Sequence, residues 1–178
     1  EIRLSLVGSE MCIRDRFTIT PVRLHPLCKE IHDAHIFRCP EGVELIYEPS
    51  DENIVIDGDK NRIFQVISNL IGNAFKFTTS GHISYGYRRE GKYVAFHVTD
   101  TGMGIAPDKV DRIFERFVKV NNFAQGTGLG LSICKTIIER LGGNISVTSE
   151  VGKGTTFIFV LPLESSSKTE MEKKEENN

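Results

Sequence analysis

Long apolar runs, paired cysteines and a strong excess of one charge are all missing from this sequence. No apolar stretch approaches the about 20 residues that a membrane-spanning helix needs, and no charged-then-apolar leader opens the chain. The net charge of -2 provides no general electrostatic basis for binding nucleic acid. We therefore expect no nucleic-acid partner and no membrane contact by this chain.

The four cysteines are scattered along the chain, at Cys12, Cys28, Cys39 and Cys134. They form no C-x-x-C pair and no spacing typical of metal ligands. This pattern predicts reduced, mostly buried thiols in a cytoplasmic protein.

Length and composition predict one folded domain, over residues 17–163. The 178 residues, 39% of them hydrophobic and 26% charged, are enough to bury a sizeable core. Residues 1–16 lack a sustained period, which indicates a non-native or linker remnant or, alternatively, the frayed end of a preceding helix. Residues 164–178 are charged and almost without hydrophobic side chains, so they are predicted to be a disordered tail.

Hydrophobic periodicity and turn residues predict the order of the elements. The predicted strands cover residues 17–20, 43–48, 53–57, 82–89, 92–99, 144–149 and 155–161, and the predicted helices cover residues 24–37, 60–77, 107–117 and 128–141. The fold class that follows is α/β, a two-layer α+β sandwich with a mixed sheet of about five strands packed on three main helices.

The helix predicted over residues 60–77 carries three polar side chains on one side. Asn69, Asn73 and Lys76 follow one another at i, i+4 and i+7 along a helix that is otherwise core-facing. A solvated polar seam would explain them equally well. As a functional site, Asn73 would offer an oxygen ligand to Mg²⁺, and Lys76 a point charge to phosphate.

Asp100 ends a hydrophobic strand and begins the sequence Asp100-Thr101-Gly102-Met103-Gly104. A carboxylate in that position can accept a hydrogen bond from an exocyclic amine, such as that of adenine, inside an apolar pocket. Gly102 and Gly104 would let the backbone approach a ligand closely. A plain turn is the competing interpretation of this short motif.

A second glycine group, Gly126-Thr127-Gly128-Leu129-Gly130, directly precedes an amphipathic helix. Backbone N–H groups at the start of a helix attract anions, and the glycines would let phosphate come close. The motif is neither a P-loop nor a dinucleotide fingerprint, and flexible linker glycines are the alternative. Residues 118–127 are polar and are interpreted as a movable lid.

Taken together, these blocks resemble the N, G1, F and G2 boxes of the catalytic domain of sensor histidine kinases. The F box corresponds to Phe114-Glu115-Arg116-Phe117, and the segment Gly152-Lys153-Gly154-Thr155-Thr156-Phe157 is similar to the closing glycine motif of that family. The resemblance covers roughly residues 17–163. It extends to the superfamily of gyrase B, Hsp90 and MutL, which do not carry this F box in this place.

The resemblance implies a Bergerat-type ATP-binding fold, with a left-handed β-α-β unit and with ATP and Mg²⁺ as cofactors. It implies that Asp100 reads adenine with support from Thr155, that Asn73 holds Mg²⁺, and that Asn69 and Lys76 attend the phosphates. The remaining expected ATP-binding residues lie in the same blocks and shape the pocket and lid: Gly102, Gly104, Ile105, Phe117, Gly126, Thr127, Gly128, Leu129 and Gly130.

The sequence departs from the family in lacking a phospho-accepting histidine. His25 is followed by Pro26, and the other four histidines fall on predicted elements of the ATP-binding domain. We therefore expect no catalytic residue in this chain. The implied partners are the histidine-bearing dimerisation hairpin of the parent kinase and a downstream response regulator, in the cytoplasm, with a parent protein that is either free or anchored in the inner membrane.

Two other functions stay open at the level of sequence. An ATPase of the Hsp90, MutL or gyrase type would need a water-activating glutamate early in the helix over residues 60–77, where the chain has Asp59 and Gln65 instead. A nucleotide-binding interaction module without transfer activity is the other, although every pocket residue named above is intact.

Overall fold

The computed structural model describes residues 17–50, 53–118 and 128–164. The predicted linker remnant over residues 1–16, most of the predicted lid, including Gly126 and Thr127, and the predicted tail beyond residue 164 lie outside the described residues.

Seven strands and four α-helices make up the described part of the chain. In order, they are β1 (Thr20–Arg23), α1 (Leu24–His35), β2 (Val43–Glu48), β3 (Val55–Gly58), α2 (Lys60–Phe77), β4 (Gly81–Glu90), β5 (Tyr93–Asp100), α3 (Pro107–Val110), α4 (Gly130–Arg140), β6 (Asn144–Glu150) and β7 (Gly154–Pro162). A short 3-10 helix, Ile36–Arg38, follows α1.

The main sheet has the five strands that the sequence predicts, and their order is β2-β4-β5-β7-β6. The β2–β4 pair is parallel and the other three pairs are antiparallel, so the sheet is mixed. Strands β1 and β3 form a separate antiparallel pair. Because β5 is a central strand bonded on both sides, its last residue, Asp100, is held between β4 and β7.

One face of the sheet packs on the three longer helices. Alternate residues of β7 are buried, among them Phe157, Phe159 and Leu161. Phe159 stacks on Phe96 of β5 with ring centroids 4.6 Å apart. Burying each large apolar side chain of this kind stabilises the fold by roughly 1.5–3 kcal/mol.

Helices α2 and α4 cross this face antiparallel to each other and lie in direct contact. Near the middle of the contact the Asn69 Nδ2 amide donates to Cys134 Sγ at 3.7 Å, and the Cys134 thiol donates to the Val66 carbonyl at 3.8 Å. Burial raises the pKa of the Cys134 thiol to about 12, so it stays neutral. The C-terminal end of α2 therefore lies beside the N-terminal end of α4.

The chain before β1 does not form the predicted strand over residues 17–20. The Thr18 N–H donates instead to Asp59 Oδ2 at 2.8 Å, and the Phe17 ring lies between the guanidinium groups of Arg62 and Arg140. These contacts with α2 and α4 displace the strand toward Arg23. Pro21 lies inside β1, where a two-stranded pair tolerates a missing donor.

The helix predicted over residues 107–117 is also wrong in extent, since α3 ends at Val110. Arg112 and Glu115 continue with hydrogen bonds to residues three positions earlier, which are turns rather than α-helix. Ile113 is nonetheless buried, and Phe114 meets Phe157 edge to face at 6.2 Å. The apolar spacing in this segment therefore reflects side chains that pack into the core and does not indicate a helix.

None of the helices in these three described segments combines the length and the apolar character that crossing a membrane would require.

Candidate functional site

A cleft opens between the end of α2, the loop after β5 and the start of α4. It holds about 330 Å³ of space outside the atoms, part of which is open to solvent. Its lining consists of Asn73, Ala74, Phe77, Asp100, Gly104, Ile105, Leu131, Thr155 and Phe157. Five of these residues were singled out from the sequence, so residues far apart in the chain share one cavity.

Asp100 lines the cleft and is buried, with 8% of the residue exposed. Strand register places it beside Ile83 on β4 and Thr155 on β7. Its Oδ1 accepts a hydrogen bond from the Gly102 N–H at 2.9 Å. Burial raises the pKa of the carboxyl, and the backbone N–H groups of Gly102 and Thr155 partly offset that effect.

The loop after Asp100 packs backbone against backbone on both sides. A side chain at Gly102 would overlap the Phe77 carbonyl, and one at Gly104 would overlap the Glu150 carbonyl. Gly104 also has a φ of 72°, a conformation that side chains disfavour. These two glycines are therefore required by the close approach of the loop to α2 and to the β6–β7 turn.

Thr155 and Ile105 both line the cleft and are joined by a residue that the sequence analysis missed. The Ser149 hydroxyl lies 2.8 Å from Thr155 Oγ1 and 2.8 Å from the Ile105 N–H. Ser149 pairs with Thr155 across β6 and β7. Only the register of that hairpin reveals this neighbour, since six residues separate the two positions in the chain.

Of the polar side chains on α2, only Asn73 is among the cleft-lining residues. Asn69, one turn earlier, is half-buried and engaged with Cys134. Lys76 is exposed. The cleft also takes Ala74 and Phe77 from the same helix. Phe77 lies at i+4 from Asn73, on the same face of the helix, so that spacing could have identified it.

Phe117 and Gly128 contact each other close to the two ends of the segment 119–127, which lies outside the described residues. The Phe117 N–H donates to the Gly128 carbonyl at 3.0 Å, and both residues have positive φ, 65° and 72°. Phe117 is 71% exposed. The predicted positions of Gly126 and Thr127 lie outside the described residues, whereas Leu129 caps α4 and Gly130 is its first residue.

Two further apolar residues complete the lining and were missed from the sequence. Leu131 lies one residue into α4, and Phe157 follows Thr155 at i+2 on the same face of β7. Alternation along a strand could have identified Phe157. Together with Ile105 and Phe77, these side chains line a largely apolar cavity that contains one carboxylate, that of Asp100.

Comparison with known proteins shows which family has a sequence similar to that of this chain. A family model described as "Histidine kinase-, DNA gyrase B-, and HSP90-like ATPase" matches residues 58–165, more than half of the chain. The sensor histidine kinase RcsC of Escherichia coli (strain K12) is 45% identical over 127 residues, which are 68% of this chain and 13% of RcsC. The sensor protein SrrB of Staphylococcus aureus is 48% identical over 109 residues, 58% of this chain and 19% of SrrB. The chain thus spans less than a fifth of the length of these relatives.

Solved structures give the same result. Full-length ShkA in complex with AMPPNP superposes with a TM-score of 0.77 at 33% identity, covering 85% of this chain and 32% of ShkA. The nucleotide-free catalytic domain of the histidine kinase ThkA superposes with a TM-score of 0.74 at 31% identity, covering 83% of this chain and 97% of that domain. The chain therefore belongs to the histidine kinase-, DNA gyrase B- and HSP90-like ATPase family, within which it is the ATP-binding catalytic domain of a sensor histidine kinase.

Proposed function

We propose that this domain presents Mg-ATP for phosphoryl transfer to a histidine on a dimerisation hairpin that lies outside the chain. The observation that carries the proposal is the convergence of Asp100, Thr155 and Asn73 on one cleft whose other walls are mostly apolar. A concave apolar cavity with a few convergent polar groups is the usual form of a small-molecule site.

In this proposal Asp100 and Thr155 hold the adenine end of the nucleotide. An ionised carboxylate only accepts hydrogen bonds, so it would pair with the exocyclic amine of adenine. Ile105, Leu131 and Phe157 would cover the faces and edges of the base and exclude water. All three side chains line the cleft together with Asp100, which supports this orientation.

The residues at the other end of the cleft fit a magnesium ion that shares its coordination with phosphate. Asn73 offers an amide oxygen, and the described residues contain no group of three or more His, Cys, Asp or Glu that could hold a metal ion. Mg²⁺ is commonly bound through one or two protein oxygens together with substrate phosphates and water. When bound, the ion would neutralise charge on the phosphates during transfer.

The phosphates would extend toward the start of α4. The first N–H groups of a helix have no partner within the helix, and they attract anions. Gly130, the first residue of α4, would supply such a group. The backbone of Gly126, Thr127, Gly128 and Leu129, which precede the helix, would add further N–H groups, with Asn69 and Lys76 attending from α2. Phe117 would mark the other end of the lid.

The phosphate acceptor is proposed to lie on the parent kinase, because four of the five histidine rings of this chain make hydrogen bonds within the fold. His25 contacts the Tyr47 hydroxyl, His35 contacts the Ile31 carbonyl, and His97 contacts Glu48 at 2.7 Å. A response regulator would then receive the phosphoryl group. The proposed setting is the cytoplasm, in keeping with free thiols at the three described cysteines, with the parent anchored in the inner membrane as one arrangement.

The positions of Asp59 and Gln65 do not support the alternative function, an ATPase in which water is the acceptor. Both carboxylate oxygens of Asp59 accept backbone hydrogen bonds, from Arg62 and from Thr18. Gln65 accepts a hydrogen bond from the Arg62 side chain at 3.1 Å. Neither Asp59 nor Gln65 is among the residues lining the cleft, so neither is positioned to activate water there.

Calorimetric titration with Mg-ATP tests the nucleotide site. We expect Asp100→Asn to weaken binding by roughly 10- to 100-fold, because it replaces a charged acceptor with an amide that also presents a donor. Asp108→Asn, an exposed carboxylate on α3, is the matched control and should bind like the wild type. Equal affinity in all three proteins would contradict the proposed site.

Labelling with γ-labelled ATP tests the transfer step. With a separately prepared hairpin that carries the acceptor histidine, acid-labile label should appear on the hairpin and not on this chain. Label on the chain itself would overturn the assignment of the acceptor. Steady hydrolysis of ATP by the chain alone would favour the ATPase.

A further inference from the structure

Ser149 is the residue through which the two walls at the adenine end of the cleft contact each other. Its hydroxyl oxygen lies 2.8 Å from the Ile105 N–H, 3.0 Å from the Gly154 carbonyl and 2.8 Å from Thr155 Oγ1. Ile105 and Thr155 line the cleft, whereas Ser149 does not. Ser149 can therefore act on a ligand only through its neighbours.

Only one arrangement of protons makes all three contacts hydrogen bonds at the same time. A serine hydroxyl has one proton to donate and two lone pairs to accept with. The Ile105 N–H can only donate and the Gly154 carbonyl can only accept, so in that arrangement the Ser149 proton lies on the bond to Gly154. The Thr155 hydroxyl then donates to Ser149.

This assignment leaves Thr155 with a lone pair and no proton for the cleft. Asp100, its neighbour across β5 and β7, likewise offers only acceptors when ionised. A ligand group placed against this wall must therefore donate a hydrogen bond. The amine of adenine can do so, whereas the carbonyl that replaces it in inosine cannot.

We infer that Ser149 is a positioning residue that fixes the Thr155 hydroxyl as an acceptor and so contributes to the choice of an amine-bearing base. The inference rests on the proposed ATP function and adds to it a residue outside the cleft. Without Ser149, the Thr155 hydroxyl is free to rotate and donate to a carbonyl, and the Ile105 N–H loses its acceptor.

The test compares the binding of ATP and inosine triphosphate, with Mg²⁺, to the full chain and its variants. Ser149→Ala is expected to weaken ATP binding by about tenfold, the effect of one lost buried hydrogen bond. It is also expected to reduce the preference for ATP over inosine triphosphate by a factor of several. Ser149→Thr keeps the hydroxyl and should restore both values.

Ser146→Ala is the matched control, because Ser146 lies on the same strand and its hydroxyl contacts only the Ile158 carbonyl at 3.4 Å among the described residues. It should leave affinity and preference unchanged. A purely structural role for Ser149 would lower the melting temperature and the affinity for both nucleotides equally. An unchanged ratio in Ser149→Ala would therefore overturn the inference.

If Ser149→Ala does not fold, Ser149→Cys replaces it in the same assay. The thiol retains the volume but is a weak hydrogen-bonding group, so the preference should again fall, and an unchanged preference would again overturn the inference. Failure of the wild type to bind ATP would refute the proposed function. Normal binding by the wild type, loss in Asp100→Asn and no change in Ser149→Ala would refute only the role of Ser149.

Discussion

At the scale of single residues, burial of the Asp100 carboxylate in the cleft lowers the stability of the folded protein. The carboxylate is buried with only backbone N–H groups to offset the loss of water, and its pKa is raised. An apolar or neutral residue there would avoid that desolvation. In the proposed function this loss of stability has a use, because the same isolated carboxylate accepts the hydrogen bond from the amine of the base in an otherwise apolar cavity.

The raised pKa gives a signed prediction for the nucleotide-free protein. A carboxyl whose folded pKa lies above its unfolded value contributes stability below the unfolded pKa, and that contribution is lost as the pH rises through the folded pKa. Asp100→Asn lacks this titration. Thermal melts at pH values that fall from about 7 to about 4, the ordinary pKa of an aspartate carboxyl, should therefore show the wild type gaining stability relative to Asp100→Asn.

Comparing two proteins removes the titration of all other groups from this measurement. Asp108→Asn, at an exposed carboxylate, should show no such pH-dependent gap from the wild type. A gap between wild type and Asp100→Asn that moves in the opposite direction would mean that the carboxyl is stabilised in its charged form.

At the scale of elements, helix α2 depends on the buried N-cap Asp59. One carboxylate oxygen accepts from the Arg62 N–H at 3.1 Å, and the other accepts from the Thr18 N–H at 2.8 Å. The same side chain therefore begins the helix that carries Asn73 and fastens the chain that precedes β1.

Replacing Asp59 separates these two tasks. Asp59→Ala should lower the free energy of unfolding by about 1–3 kcal/mol, since it removes a cap and a second buried acceptor. Asp59→Ser retains a cap acceptor without the second oxygen, so its loss should be smaller. Urea denaturation measures both, and equal losses in the two variants would show that capping contributes nothing.

The same helix shows what could be predicted from sequence. Its bounds, Lys60–Phe77, agree with the prediction because cap residues and a broad apolar stripe are local signals. The predicted helix over residues 107–117 failed because Ile113 and Phe114 are apolar for tertiary reasons, contacts with the sheet and not helical repetition. Ser149 escaped prediction because its role depends on the register between β6 and β7.

At the scale of the whole molecule, the two edge strands of the main sheet differ in how they are attached. Strand β6 joins β7 through a tight hairpin turn, whereas β2 joins β4 in parallel across a connection that contains β3 and α2. Closing the longer connection costs more conformational entropy before any strand bonds form.

We expect that difference to appear in amide hydrogen exchange. In urea below the unfolding transition, the amides of β2 should exchange before those of β6, although each strand has one neighbour in the sheet. The central strand β5 serves as the internal reference for global unfolding. Equal protection of β2 and β6 would mean that the connection length has no influence on local opening.

Phe17 contacts both of the helices that border the cleft, at the ends that lie away from it. Its ring touches Arg62 near the start of α2 and Arg140 at the end of α4, and those two helices border the cleft at their opposite ends. A displacement of Phe17 is therefore expected to move the ends of both helices together. These are the ends that lie away from the cleft, so we expect such a displacement to alter the distance between Asn73 on α2 and Leu131 on α4.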